Sequence, residues 1–390
     1  MWRHIASNAL SLFVVVLFLA GGALVWGKAQ FSAEGPLSEP ICLRVPSGST
    51  MSKVSRDLEA QEAISNSAIF RIGAEYTDKT ALLKAGSFLV PEHASMEQII
   101  ELVTRGGAST CGTEIVYRIG INRVQVQVRA LDPATDKFVE IASFEPGEAG
   151  EEGAVVPEAY VARRAEADTR YRIALAEGAT SWQIVEALKQ ADFLQSPPAS
   201  LPAEGSLAPD SYEVRPGASI IELIAKMTEK QALRLETAWK DRASDLPYDS
   251  KEEALIMASI VEKETGLADE RRQVASVFVN RLNKGMRLQT DPTVIYGVTN
   301  GQGVLGRGLR QSELQRETPY NTYVIEGLPP TPIANPGLAA IEAALNPDDT
   351  PYIFFVADGT GGHAFATTLA DHNANVSAWR KIEAERAAAE

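Results

Sequence analysis

Residues 9–26 carry no charged side chain, and no other stretch restricts the chain as strongly. The run from Ala9 through Leu17 to Trp26 would cover roughly 27 Å as a helix rising 1.5 Å per residue, close to a hydrocarbon core. It exceeds a usual signal-peptide core, and no clear small-x-small cleavage site follows. The reading is a single-pass anchor after a short tail, 1–8; a cleaved signal peptide is the alternative. Arg3 and Lys28 flank the run with little bias. The long acidic remainder is easier to place outside, which puts the N-terminus in the cytoplasm. Trp2 and Trp26 suit the two interfaces.

The 390 residues leave material for two or three domains. A net charge of −14 argues against nucleic acid or anionic headgroups as main partners. The four histidines, His4, His93, His363 and His372, and the two cysteines, Cys42 and Cys111, form no zinc-spaced cluster. No Walker or Rossmann glycine loop occurs either. Metal, cofactor and nucleotide chemistry are therefore not expected.

The elements read as α+β. After a polar linker, 27–40, a strand at 41–45, helical spacing over 51–76, a strand at Leu89–Val90 and a helix from Ser95 to Val103 stopping at Gly106-Gly107 make a small module, 41–112. Cys42 and Cys111 lie near its ends; a disulfide and two buried thiols both remain open. A β-rich insertion, 113–170, holds an alternating hairpin around Asp132-Pro133 and a Gly-rich acidic stretch, Glu145 to Glu152. From 171 to 383 the chain alternates helices with polar loops, among them Leu207-Ala-Pro-Asp-Ser-Tyr212, and it ends in a tail, 384–390.

One helix organises that last region. Ser250 with Glu253 is a capping box, and Gly266 is a natural left-handed stop. Between them Ala254 to Val261 is apolar on almost every face, as in a buried helix. At about 100° per residue Glu262 falls with Leu255, Ala258 and Ser259, and Glu264 points nearly the opposite way. An acid carried there loses hydration, which favours its neutral form and suits a general acid. Ala258 and Ser259 look small enough to leave room for a substrate above Glu262. The plain alternative is a glutamate fraying into solvent at a helix end.

No serine triad or activated cysteine is legible, and His363 and His372 read more readily as turn or fold histidines than as catalysts. Gln289-Thr290-Asp291 and Tyr320-Asn321-Thr322 could bind sugar hydroxyls, although Asp291 before Pro292 is also a good helix opener. What remains is carboxylic-acid chemistry on a hydroxyl-rich substrate, with glycoside cleavage the natural candidate.

Several ordered motifs carry a resemblance: Ala258-Ser-Ile-Val-Glu-Lys-Glu-Thr265, Val274 to Leu282, Met286-Arg-Leu-Gln-Thr-Asp-Pro-Thr-Val-Ile-Tyr-Gly297, Tyr320-Asn-Thr-Tyr323, Gly327-Leu-Pro-Pro330, His363-Ala-Phe and His372-Asn373. Together they resemble the endolytic murein transglycosylases, the YceG-like family. The likeness extends loosely to 41–107, similar to that family's LysM-like module, and to Leu207–Tyr212; the stretch 113–170 departs from it. The resemblance implies an inner-membrane enzyme with its catalytic domain, 171–383, in the periplasm. It implies cleavage of the MurNAc–GlcNAc bond inside glycan strands to give 1,6-anhydro ends, with Glu262 as general acid and then base, and Glu264 as its structural neighbour. The substrate's own C6 hydroxyl is the nucleophile, so no second carboxylate is needed. Gln289, Asp291, Tyr320, Asn321, Asp210 and Tyr212 are the expected substrate contacts. Penicillin-binding synthases and elongation or division proteins are the candidate partners. A hydrolytic muramidase and a non-catalytic wall-binding or division scaffold are the alternatives.

Overall fold

The computed structural model describes residues 2–105, 111–147, 156–166 and 169–389. The expected helix stop at Gly106-Gly107 and the acidic stretch from 148 to 152 lie outside them. The chain divides into two compact units.

The first unit takes the described residues up to 116, with 127–144, 156–166 and 169–170. Helix α1, Trp2–Ser32, contains an apolar segment, Leu12–Ser32, with mean hydropathy 2.1 and none of it buried in the protein. The helix runs past Trp26 to Ser32, so the first part of the expected linker is helical. The rest is anchored too: Leu37 is buried in the core, and Gly35 and Leu37 exchange backbone hydrogen bonds with His93. Strand β1, Ile41–Val45, pairs antiparallel with β2, Gly86–Val90, after helices α2, Met51–Ala60, and α3, Ser67–Tyr76. The periodicity over 51–76 therefore hides a break. Asn66 caps α3 by accepting the N–H groups of Ala68 and Ile69, a local bond that competes with continuing the first helix. Helix α4, Met96–Thr104, opens on the Ser95–Gln98 capping box. Leu43, Leu58, Phe70, Val90, Ile99 and Val103 form the core. Cys42 and Cys111 are disulfide-bonded, Cα atoms 5.9 Å apart, which closes the open choice in favour of the bridge. Strands β3, Thr113–Ile119, β4, Val124–Asp132, and β5, Lys137–Phe144, precede helix α5, Glu158–Arg164.

The second unit takes 117–126, 145–147 and 171–389. Strand β6, Arg170–Leu175, leads to α6, Ser181–Gln190, then β7, Leu194–Gln195, β8, Ser211–Val214, and β9, Ala218–Ser219. Strand β6 pairs antiparallel with β8, Tyr171 opposite Val214. Helix α7, Ile220–Lys240, precedes the organising helix α8, Lys251–Glu264. Then come α9, Arg271–Asn283, α10, Asp291–Thr299, α11, Gln311–Leu314, and α12, Leu338–Leu345. An antiparallel hairpin, β10, Phe354–Ala357, with β11, His363–Ala366, and helix α13, Leu369–Ala389, complete it. Residues 384–389 thus belong to a helix. Helix α8 packs against α7, α9, α10 and α12, and Met257, Ala258, Ile260 and Val261 disappear into that core.

Candidate active site

The sequence fixes the start of α8 as expected. Ser250 Oγ accepts the Glu253 N–H at 3.1 Å, and the Glu253 carboxylate accepts the Ser250 N–H at 3.3 Å. Its end differs. Thr265 is extended (φ −142°, ψ 134°) and Gly266 is not left-handed. The stop comes from Thr265, whose hydroxyl donates to Glu270 Oε1 at 2.6 Å and accepts the Leu267 N–H at 3.0 Å. The expected space above Ala258 and Ser259 is also filled. Both are fully buried, and Ser259 Oγ accepts the N–H of Ile333 at 3.0 Å while donating to Ile256 O.

The two acids at the end of α8 face different surroundings, as two positions about 200° apart must. Glu262 lies against the start of α12, where its Oε2 accepts the N–H of Gly337 at 2.9 Å. Its Cγ would be 3.6 Å from a Cβ at Gly178, a residue at φ +78° where only glycine is unstrained. Lys263 Nζ donates to Gly178 O at 3.3 Å. A Cβ on Gly337 would overlap the Glu177 carboxylate, so a second acid shares this corner. Burial raises the Glu262 carboxyl; the Gly337 amide opposes this and the charge of Glu177 adds to it. Burial pushes the Lys263 ammonium down.

Glu264 faces the loop that precedes α10. Thr290, itself 2% exposed, donates its hydroxyl to Glu264 Oε1. Thr290 N–H is held by Thr322 Oγ1 at 3.0 Å, and Thr293 and Thr322 share a hydroxyl contact at 2.9 Å. Arg281, reaching from α9, donates to Leu288 O at 2.6 Å and Ile353 O at 2.7 Å, which ties the loop before α10 to the segment before β10. Burial raises the Glu264 carboxyl, with Thr290 opposing; Asp291 adds to the rise, while His363 and Arg281 counter it. Both acids keep some exposed surface. His363 is held by Glu270: Nδ1 to Oε1 is 2.7 Å and the backbone N–H reaches Oε2 at 3.0 Å.

The expected substrate contacts divide. Gln289 is exposed, at φ +52°, on the Glu264 side. Asp291 is exposed and accepts the Tyr323 hydroxyl at 2.7 Å; it is the first residue of α10, with Thr290 rather than Asp291 in the cap position. Tyr320 packs on Tyr296, centroids 5.0 Å apart, and its hydroxyl meets Thr331 at 2.8 Å. Asn321 is fully buried, with its amide bonded to the carbonyls of Glu313, Leu314 and Arg316, so its role is to shape the loop and not to meet a sugar. Asp210 is ion-paired to Lys230 and Arg234, and Tyr212 donates to Ala208 O at 2.7 Å, so both tie their loop together. His372 stacks on Phe354 at 5.0 Å, and burial pushes its ring down.

Glu177 and Glu270 were not legible as site residues, since each acts through partners remote in sequence. Helix α12 opens at Gly337, and the Asn335 side chain is drawn into the core. A groove of about 800 Å³ between α7, α12 and the start of α9 includes neither acid. Among the described residues no three His, Cys, Asp or Glu side chains are grouped to hold a metal ion.

The sequence profile of the YceG-like family matches residues 43–172 and 162–378, and so takes in 113–170, which the motifs alone left outside the resemblance. A Bacillus subtilis protein named endolytic murein transglycosylase is 28% identical over 358 residues, covering 91% of this chain and 89% of its own. A Streptococcus pneumoniae protein of the same name is 26% identical over 96% of this chain and 65% of its own length. A crystal structure of a YceG-like protein from Listeria monocytogenes covers 86% of this chain at 26% identity, with a TM-score of 0.46.

Proposed function

The chain belongs to the YceG-like family, and from that membership we propose that it is a membrane-anchored lytic transglycosylase cutting the MurNAc–GlcNAc bond within peptidoglycan strands. The names of the Bacillus and Streptococcus relatives support the substrate. The observation that carries the chemistry is the Glu264 carboxyl, raised by burial and bonded to Thr290, beside the exposed polar groups of Gln289 and Asp291.

On that observation we assign the proton transfer to Glu264 in place of Glu262, the acid expected from the motif. Of the loops expected to meet sugar, Gln289 to Asp291 lies at Glu264, while Glu262 is engaged by the backbone of Gly337. In the proposed cycle the Glu264 carboxylic acid protonates the glycosidic oxygen as the bond to C1 breaks. The muramyl C6 hydroxyl then closes on C1 and returns its proton to the Glu264 carboxylate. The acid is regenerated and no water enters. Gln289, Asp291 and Tyr323 are the proposed sugar contacts.

The apolar helix α1 supports anchoring in the inner membrane with the rest of the chain in the periplasm. The β1-α2-α3-β2 order supports a LysM-like glycan-binding module at 41–112. Synthases and division or elongation proteins remain proposed partners.

The test is chromatography of sacculi digested by the detergent-solubilised chain, its Glu264→Gln variant and its Glu262→Gln variant. Anhydro-ended products from the wild type and none from Glu264→Gln support the reading. Reducing ends in their place would make the enzyme a hydrolytic muramidase. Glycan binding without cleavage would make it a scaffold.

A further inference from the structure

Resting on that assignment of Glu264, the network behind it has a function of its own. Glu270, just before α9, binds three groups at once: the Thr265 hydroxyl, the backbone N–H of His363 and His363 Nδ1. Thr265 directly follows Glu264, so one carboxylate registers the end of α8 against the first residue of β11. The pair is well shielded, with 12% of the Glu270 and 17% of the His363 side chain exposed. The ring is edge-on to Phe355 at 5.1 Å, and Phe365 lies 6.5 Å away. A carboxylate at Nδ1 places a proton on that nitrogen and fixes the ring's orientation. The charge of His363 in turn favours the ionised form of Glu264.

We infer that Glu270 and His363 are positioning residues for Glu264, the histidine stabilising its carboxylate between loss of the proton to the glycosidic oxygen and recovery of one from the C6 hydroxyl. No proton leaves His363, so the proton balance of the cycle is unchanged. The other charged groups around Glu264 are Arg281 and Asp291, with the Tyr323 hydroxyl nearby. Those around His363 are Glu270 and the Asp358 carboxylate, which borders Gly362.

The experiment is kcat/KM against pH for the full chain in detergent, acting on polymeric peptidoglycan, in the wild type and in His363→Gln, Glu270→Gln and the double variant. A general acid must be protonated in the free enzyme, so kcat/KM falls above its pKa. Loss of the histidine charge lets Glu264 rise further. His363→Gln is expected to lose about tenfold or more in kcat/KM and to carry the alkaline limb to higher pH. Glu270→Gln is expected to move the limb the same way, and the double variant to be no worse than His363→Gln. Glu270→Gln keeps an acceptor at only one of the two positions, Oε1 for the Thr265 hydroxyl or Oε2 for the His363 N–H, so a melting curve is taken beside the pH profile of each variant. A fall in rate with the limb unmoved in both variants, or an unchanged rate, overturns the inference while leaving Glu264 in place. Full activity in Glu264→Gln overturns both.

Discussion

Thr290 donates its hydroxyl to the carboxyl of Glu264, joining the end of α8 to the loop that opens α10. The bond favours the ionised acid against the burial that favours the neutral one. Thr290→Val, nearly isosteric, removes only the donor. Glu264 then rises further, and the alkaline limb of kcat/KM moves to higher pH, in the same direction as for His363→Gln. A pH–rate profile checks it.

Buried acids also cost stability, with a definite sign. Glu264 is raised above its ordinary 4.5, chiefly by burial, so folding favours its protonated form. The associated stability is fully present below about pH 4.5 and is lost as pH rises through the higher folded-state value. Glu264→Gln should therefore melt above the wild type at pH 7–8, with the gain shrinking toward pH 4.5. Calorimetry across that range measures it; a gain that grows on acidification contradicts it.

Asn335 is fully buried and ties its own segment to two others, 179–181 and 204–207. Its Oδ1 accepts the Leu207 N–H at 2.8 Å, and its Nδ2 donates to Ala179 O, Ser181 Oγ and Glu204 Oε1 at 3.0, 3.2 and 3.2 Å. Asn335→Leu should cost about 2–4 kcal/mol by stranding these partners. Denaturant unfolding should show it, with the pH profile of the residual activity unmoved.

The Cys42–Cys111 bridge spans 69 residues of the first unit. Closing a loop of that size limits the unfolded chain, so Cys42→Ser with Cys111→Ser should destabilise the unit by about 4 kcal/mol. Denaturant unfolding of the double variant against the oxidised wild type, in the same non-reducing buffer, checks this.

Much of this was legible in the sequence where the cause is local. The Ser250–Glu253 and Ser95–Gln98 boxes, the apolar sides of α8 and the β10–β11 hairpin depend on residues a few positions apart. The wheel even separated Glu262 from Glu264. It could not say which side the loop at Gln289 to Asp291 would occupy, because Glu264 is read by Thr290, 26 residues on, and Glu262 by Gly337, 75 residues on. The burial of Ser259 under Ile333 and the use of Asn321 and Asp210 as internal ties have the same long-range origin. The break at Asn66 was local, but the apolar period across it was the stronger signal.

The most direct test is the anhydro-muropeptide yield from sacculi treated with equal amounts of wild type, Glu264→Gln and Glu262→Gln, each shown to be folded by its melting curve. The account predicts abundant anhydro products from the wild type, none from Glu264→Gln and a measurable fraction from Glu262→Gln. Full release by Glu264→Gln, with Glu262→Gln inactive, would contradict it and return the proton transfer to Glu262.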